Sequence, residues 1–326
     1  MNSMSDLHNH DESPVLGVEI GGTKLQVGFG TATGKLWRVW RCAARPEGGA
    51  RAILGDIYGL IGQALRHGEE AGWGRPTAIG VGFGGPVDSS LGTTLISHQV
   101  EGWRDFPLVA TFSDRFGIPV VLENDASTAA LGEARVGAGK GLGRVFYVTV
   151  GSGIGGGWVV DGRLDRGQGR GMAEIGHVIC QDEQGNRVAL EKVASGWGIQ
   201  EWARTQAGLG EGARLLERLG GDIERMTTEE ISRYAALGDA FSARMLERGA
   251  RYLGGVLANA ITLLAPERIV IGGGVSLAGA AYWAPLREEV EKQVFHLFRG
   301  QYELVPAALG EHVVMIGAFL LAGEAE

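Results

Sequence analysis

Apolar positions along this chain come in short alternating runs broken by glycine, interspersed with longer stretches of helical period. Val15 to Ile20 and Leu25 to Phe29 read as a hairpin, and Leu36 to Cys42 as a third strand. Ala50 to Ala71 carries apolar residues at Ile53, Ile57, Leu60, Ile61, Ala64 and Leu65, the spacing of one helix face. Thr77 to Phe83 predicts a strand ending in Gly84-Gly85-Pro86, and Phe106 to Phe116 a helix. Val120 to Leu122 is a short buried strand delivering Asn124 and Asp125 to its carboxyl end, with a helix over Ala126 to Val136. The second half repeats the scheme. Strands are expected at Arg144 to Val150 and Gly156 to Val160, then helices around Glu191 to Ala203 and Ala240 to Ala265. Thr227-x-x-Glu230 has the form of a capping box. Arg268 to Ile271 is a strand entering Gly272-Gly273-Gly274, and Val313 to Ala322 is a closing helix. The pattern is that of an α/β chain with an internal two-fold plan.

Composition narrows this picture. With 326 residues the chain has material for two domains. Its 56 glycines far exceed the usual share of about 7 % and cluster at turns between apolar runs. A net charge of −8 disfavours nucleic acid or an anionic membrane as the main partner. Two cysteines, Cys42 and Cys180, are too few for a disulfide framework and suit a reducing cytoplasm. Met1 to Ser13 is polar and reads as a disordered tail, not a signal peptide. The longest apolar stretch, Leu253 to Ala265, is too short to span a bilayer.

Two glycine turns carry the candidate chemistry: GVEIGGTKLQVGFG from Gly17 and FYVTVGSGIGGGWVVDG from Phe146. Each lies between β-rich runs, where bare backbone N–H groups can converge on phosphate oxygens. Gly151-x-Gly153-x-x-Gly156 spells a dinucleotide fingerprint, but Gly157 to Gly162 continues as a returning strand where that motif needs a helix. Gly17 and Gly22 precede Thr23-Lys24, the reverse of the lysine-then-hydroxyl order of a P-loop. Between the two turns lies Glu123-Asn124-Asp125. Two phosphate cradles with an acidic residue between them suggest phosphoryl transfer from a nucleotide.

The ordered segments GVEIGGTK, GFGGPVD, ENDASTAALGE, VTVGSGIGGG, AEIGHV, LEKVASG and VIGGGVS resemble the ROK family (repressor, open reading frame, kinase) of the sugar-kinase/actin/heat-shock ATPase superfamily. The resemblance runs from about Val15 to Ala322. It implies a two-domain, actin-like ATPase fold of ribonuclease H type, with the ligand cleft between domains that close on a sugar and Mg-ATP. The expected small domain is 14–123 completed by 311–326, and the large domain 124–310.

By the same resemblance Asp125 is the catalytic base that accepts the proton of the attacking sugar hydroxyl, although it could equally cap the helix from Ala126 or do both. Asn124, Glu174, His177 and Glu191 match sugar-binding positions, and a polyol calls for such a mixture of donors and acceptors. Without the resemblance Asn124 reads as a turn residue, His177 as a structural histidine and Glu191 as a solvated helix residue. Gly84 and Gly85 resemble the loop lining the sugar. Gly21, Gly22 and Thr23 resemble the first phosphate loop with Lys24 as a supporting cation, and Gly151, Ser152 and Gly153 the second. Gly272, Gly273 and Gly274 resemble the adenosine-side turn.

Three departures from the family pattern stand out. Glu19 replaces a commoner aspartate but keeps the charge that holds Mg²⁺ through water. Ala173 replaces a usual glycine before Glu174. Many members hold a structural zinc with the motif histidine and three cysteines, whereas only Cys180 follows His177 here. A closed site needs four ligands, so no structural zinc is expected and His177 is left for the sugar. The implied activity is an ATP-dependent hexose kinase, most simply a glucose 6-kinase. N-acetylmannosamine, N-acetylglucosamine and mannose are alternative substrates, and a non-catalytic sugar sensor is the alternative of another class. Repressors of the family carry an N-terminal helix-turn-helix, for which too few residues precede Val15. The expected partners are hexose and ATP, with Trp197, Trp202 and the helices nearby suited equally to a homodimer interface or to core.

Overall fold

The computed structural model describes residues 13–97 and 100–325, so nearly all of the expected N-terminal tail lies outside the described residues. The chain forms two compact units. The first takes the residues up to Lys140, then Arg163–Met172, and the chain from Leu309 onward; the second takes Gly141–Gly162 and Ala173–Ala308.

The first unit opens with an antiparallel meander, β1 (Pro14–Ile20), β2 (Lys24–Thr31) and β3 (Leu36–Ala43), followed by α1 (Gly49–Glu70). Then come β4 (Ile79–Phe83), the small ribbon β5 (Val87–Asp88) and β6 (Thr93–Thr94), α2 (Leu108–Phe116), β7 (Val120–Asn124) and α3 (Asp125–Arg135). The sheet order is β3-β2-β1-β4-β7, with β1–β4 and β4–β7 parallel. Alternation along β1 and β2 sends Leu16, Val18, Leu25, Val27 and Phe29 to the face covered by Ile53, Ile57 and Ile61 of α1. Gly17, Gly28 and Gly30 point the other way. There the side chains of Met315 and Phe319 occupy the space that a Cβ would need.

The second unit contains β8 (Arg144–Val150) and β9 (Ile154–Val160), paired antiparallel. After β10 (Arg163–Leu164) come the hairpin β11 (Ile179–Gln181) and β12 (Arg187–Ala189), and then α4 (Glu191–Ala194) and α5 (Gly196–Gly208). The chain continues through α6 (Ala213–Arg218), α7 (Thr228–Ala236), α8 (Ala240–Leu264), β13 (Arg268–Gly272), α9 (Ala280–Gln293) and β14 (Glu303–Pro306). Its sheet contains the run β9-β8-β13-β14, with β8–β13 and β13–β14 parallel. This repeats the β2-β1-β4-β7 run of the first unit. The last helix, α10 (Val313–Ala322), packs on β1, β4 and α3 of the first unit.

Two expectations change. The units divide after Lys140, not after residue 123, because α3 packs along α10 and keeps Asn124 and Asp125 in the first unit. The single helix expected around Glu191 to Ala203 is two, broken at Ser195, whose side chain accepts the Gly198 N–H and caps α5. Thr227 caps α7 by accepting the Glu230 N–H, the expected half of a capping box. Among the described residues no helix is long and apolar enough to cross a membrane.

Candidate active site

Parallel pairing of β1, β4 and β7 brings their carboxyl ends to one edge of the first sheet, the edge where open α/β sheets bind ligands. The residues leaving those ends converge. Gly84 N–H donates to the Ile20 carbonyl at 2.8 Å. A Cβ at Gly84 would lie 3.2 Å from that oxygen, 3.4 Å from the Gly21 Cα and 3.5 Å from Asp125 Oδ2. A Cβ there would be tight against the Ile20 carbonyl and in ordinary contact with the carboxylate.

Asn124 supplies the cap of α3. Its Oδ1 accepts the N–H groups of Ala126 at 2.9 Å and Ser127 at 3.2 Å, while Nδ2 donates to the Gly85 carbonyl at 3.1 Å. Asp125, half-buried in the first helical turn, accepts the Ala126 N–H at 2.8 Å through Oδ1. The helix terminus favours a negative charge there. Glu123 turns inward. Its oxygens accept from Asn124 N–H at 2.9 Å, Ser89 Oγ at 3.0 Å and Arg166 Nε at 2.9 Å, which makes it a brace behind the pair.

At the first glycine turn, Gly21 N–H donates to the Lys24 carbonyl at 3.1 Å, and Ala44 N–H donates to the Thr23 carbonyl at 2.9 Å. Glu19 stands opposite Gln26 across β1 and β2, and Gln26 Nε2 donates to it at 2.7 Å. Lys24 Nζ lies 3.9 Å from the same carboxylate. Burial pushes the Glu19 carboxyl above its ordinary range, opposed by Lys24 and the Gln26 hydrogen bond.

The second unit presents its own set. Gly151 N–H closes the turn onto the Gly153 carbonyl at 3.0 Å, and the Gly151 carbonyl accepts from Gly196 N–H at 2.7 Å at the start of α5. This close approach breaks the expected helix, since a Cβ at Gly196 would lie 2.8 Å from the Gly151 oxygen. Beside the turn is a cavity of about 580 Å³ lined by Gly151, Ser152, Gly196, Trp197, Gly274 and Leu277, with Gln200, Thr227, Glu229 and Ser232 as polar wall. Its size suits a small-molecule ligand. Trp197 and Leu277 offer apolar faces to it, and Trp197, exposed, is not part of the core. Of the three glycines after β13, only Gly274 lines this cavity. Gly273, at φ 83, backs onto Val150, and a Cβ at Gly272 would lie 2.4 Å from Tyr147 Oη.

Glu191, the first residue of α4, has Oε2 3.4 Å from where a Gly153 Cβ would stand. Glu174 and His177 are exposed at the two ends of one 3-10 turn. That turn lies on β9: a Cβ at Gly156 would meet the Ala173 carbonyl at 2.5 Å, and one at Gly176 the Ile154 carbonyl at 2.2 Å. Ala173 adopts φ 62, a left-handed conformation that favours glycine. Among the described residues no group of three or more His, Cys, Asp or Glu side chains could hold a metal ion.

Within each unit the predicted residues assemble. The first unit joins Glu19, Gly21 to Lys24, Gly84, Gly85, Asn124 and Asp125; the second joins Gly151 to Gly153, Glu191 and Gly274, with Glu174 and His177 on the 3-10 turn packed against β9. No protein atom lies within 4 Å of a Cβ built at Gly151 or Gly274. Both positions therefore border open space.

A model of the ROK family matches residues 15–325. The glucokinase of Halalkalibacterium halodurans is 32 % identical over 321 residues, 95 % of this chain and 95 % of that protein. The glucokinase of Thermotoga maritima is 33 % identical over 314 residues, 93 % of this chain and 95 % of that protein. Among solved structures, a ROK family glucokinase from Streptomyces griseus in complex with glucose and AMPPNP superposes with a TM-score of 0.80 at 31 % identity. It covers 95 % of this chain and 99 % of that one.

Proposed function

The chain belongs to the ROK family and has its actin-like, two-domain ATPase fold, and on that premise we propose that it is an ATP-dependent hexose kinase acting on the 6-hydroxyl of glucose. The observation that carries this reading is the Asn124–Asp125 pair. Asn124 caps α3, and the Asp125 carboxylate beside it stands at the carboxyl ends of the parallel strands, its Oδ2 3.5 Å from where a Gly84 Cβ would lie.

In the proposed reaction the sugar hydroxyl oxygen attacks the γ-phosphorus of ATP, the bond from that phosphorus to the β,γ-bridging oxygen breaks, and ADP leaves. The hydroxyl proton passes to Asp125. The phosphoryl transition state is loose, so this carboxylate acts mainly by orienting the nucleophile. Glu174, His177, Glu191 and Asn124 hold the remaining sugar hydroxyls. The backbone N–H groups of Ser152, Gly153, Gly22 and Thr23 receive phosphate oxygens, Gly151 and Gly21 closing the turns that present them, and the cavity walled by Trp197 and Leu277 takes the base. Bound Mg²⁺ would neutralise phosphate charge, held mainly by the nucleotide with Glu19 reaching it through water.

The relatives named glucokinase support glucose over other hexoses. Repressors of the family also resemble this chain, which makes a non-catalytic sugar sensor the outcome to exclude. Coupled ADP release with Mg-ATP over glucose, mannose, N-acetylglucosamine and N-acetylmannosamine tests both points. Turnover greatest on glucose and lost in Asp125→Asn is expected. Sugar binding without sugar-dependent ADP release would put the sensor in its place, and turnover on an N-acetylhexosamine alone would move the substrate.

A further inference from the structure

His177 and Glu191 sit at the two ends of one small hairpin. His177 ends its 3-10 turn two residues before β11, and Glu191 opens α4 two residues after β12. The base of the hairpin is closed by Leu190 N–H donating to the Val178 carbonyl at 2.9 Å. Between the ends there are only three facing pairs, Ile179 with Ala189, Cys180 with Val188 and Gln181 with Arg187. An isolated two-stranded ribbon of this length is marginal in water, and Val178 and Ile179 are exposed. Its turn is ordered locally by Asp182, which accepts from Gln184 N–H at 3.0 Å and Asn186 N–H at 2.8 Å. None of these contacts ties the hairpin tip to the body of its unit.

Two side chains of α8 do, since Arg248 and Tyr252 both hydrogen-bond Glu183, and Arg248 makes the larger share of the contact. Arg248 of α8 donates from Nε and Nη2 to the two oxygens of Glu183 at the hairpin tip, at 2.5 and 2.9 Å. Its Nη1 donates at 3.3 Å to the carbonyl of Val193, in the short helix that begins with Glu191. The guanidinium lies 4.0 Å from the ring centroid of Trp202 and 5.0 Å from that of Tyr252, and the side chain is only 14 % exposed. A planar fork, stacked on an aromatic face and paired at both oxygens, fixes direction as well as distance. Arg248, Glu183 and Tyr252 line a cavity of about 720 Å³ whose other arginines, Arg244 and Arg251, are likewise paired with glutamates. The charges are thus committed to internal partners, and the role they point to is structural.

We propose that Arg248 is a positioning residue for the sugar: by fastening the hairpin tip and the first helical turn after it to α8, it sets the spacing of His177 and Glu191. This rests on the sugar-kinase reading. Hydrogen bonding from Arg248 holds the Glu183 carboxyl below its ordinary range, consistent with a pair formed in the folded state.

The test is steady-state kinetics of Arg248→Ala, Arg248→Lys, Glu183→Gln and the double variant Glu183→Gln/Arg248→Ala, with hexose and ATP varied separately. Hydrogen exchange of the hairpin amides is followed alongside. Misplacing two of the sugar's partners should raise the KM for sugar about ten-fold in Arg248→Ala while the KM for ATP moves less than about two-fold. Lysine, lacking the fork, should restore part of the loss, and the double variant should be no worse than Arg248→Ala. Exchange should quicken over 179–189 and stay unchanged in α8. An unchanged KM for sugar, or equal rises in both KM values, would overturn the proposal, and so would unaltered hairpin exchange. Should Arg248→Ala not fold, Glu183→Gln carries the same readouts. A wild-type protein without sugar-dependent turnover would defeat the kinase reading instead, a result separate from any ratio between variants.

Discussion

The two glycine turns occupy the same place in two similar sheets, yet they are built from different chemistry. In the first, Ile20 pairs with Leu25 and the next pair back is Glu19 with Gln26. In the second, Val150 pairs with Ile154 and the next pair back is Thr149 with Gly155. The first turn thus carries a buried carboxylate, its amide partner and a nearby lysine; the second carries no charge and is held by the N-terminus of α5. A glycine follows the parallel strand beside each turn for one shared reason. A Cβ at Gly84 would approach the Ile20 carbonyl, and one at Gly273 the Val150 carbonyl. The third strands then diverge: β7 ends in Asn124 before Asp125, whereas β14 ends in Pro306. In the proposed reaction this repeated scaffold would divide the labour, with proton transfer and metal charge falling to the first unit and the nucleotide to the backbone and cavity of the second.

The largest effect should come from the residue that has no counterpart. Asp125→Asn is expected to lower kcat by about 10³-fold. Its melting temperature should stay within a few degrees of wild type, because the Asn124 cap persists. Melting curves and coupled ADP release on one preparation check this. A variant that loses both fold and turnover would return Asp125 to a structural role.

Glycines at the second turn separate ligand space from packing. Gly151→Ala meets no protein atom within 4 Å, so it should fold normally and raise the KM for ATP about ten-fold. Gly273→Ala would put a Cβ within 2.6 Å of three Val150 backbone atoms at φ 83. It should cost about 2–3 kcal/mol, seen as a melting point lowered by roughly 5–10 °C. If the two variants behave alike, the open space at Gly151 is not where the nucleotide lies.

The strands and longer helices were legible because each buries one face, which imprints a period on the chain. Val313 to Ala322 forms α10 over the expected range, and Arg144 to Val150 forms β8. Features set by distant contacts left no such imprint. The break at Ser195 follows from the approach of Gly196 to Gly151, which are far apart in sequence. The unit boundary after Lys140 follows from α10 lying on α3. At the site, residue types named the candidates but did not divide their tasks. That Asn124 takes the N-cap position of α3 while Asp125 shares only the Ala126 N–H depends on side-chain direction. Trp197, Gln200, Ser232 and Leu277 join one cavity from separate helices and a loop, so no local motif marks them.

The charged turn should reveal itself through pH. Because burial raises the Glu19 carboxyl, the folded protein holds that proton more tightly than the unfolded chain does. The resulting stability is fully present below the unfolded pKa, near 4.5, and is lost as pH rises through the higher folded value. Glu19→Gln does not titrate. Its melting point relative to wild type should therefore climb between pH 4 and pH 7. A difference that stays flat or shrinks would mean the carboxylate is compensated in the fold, leaving the first turn no more charge-strained than the second.

The smallest effect probes what each sheet makes room for. Glycines in β1 and β2 accommodate Met315 and Phe319 of α10, whereas Gly156 in β9 accommodates the Ala173 carbonyl at the root of the Glu174–His177 turn. Ala173 takes φ 62 there, a conformation costing an L-residue about 1–2 kcal/mol. Glycine would remove that cost but add unfolded-state entropy worth about 0.5–1 kcal/mol. Ala173→Gly should therefore stabilise by about 0.5–1 kcal/mol and raise the melting point by roughly 1–3 °C. The KM for sugar decides what the alanine does. An unchanged value would make the strain incidental to the turn. A rise in the more stable variant would mean that the alanine's restricted backbone holds Glu174 in place, so that the second unit orients its ligand by local stiffness where the first uses a capped helix.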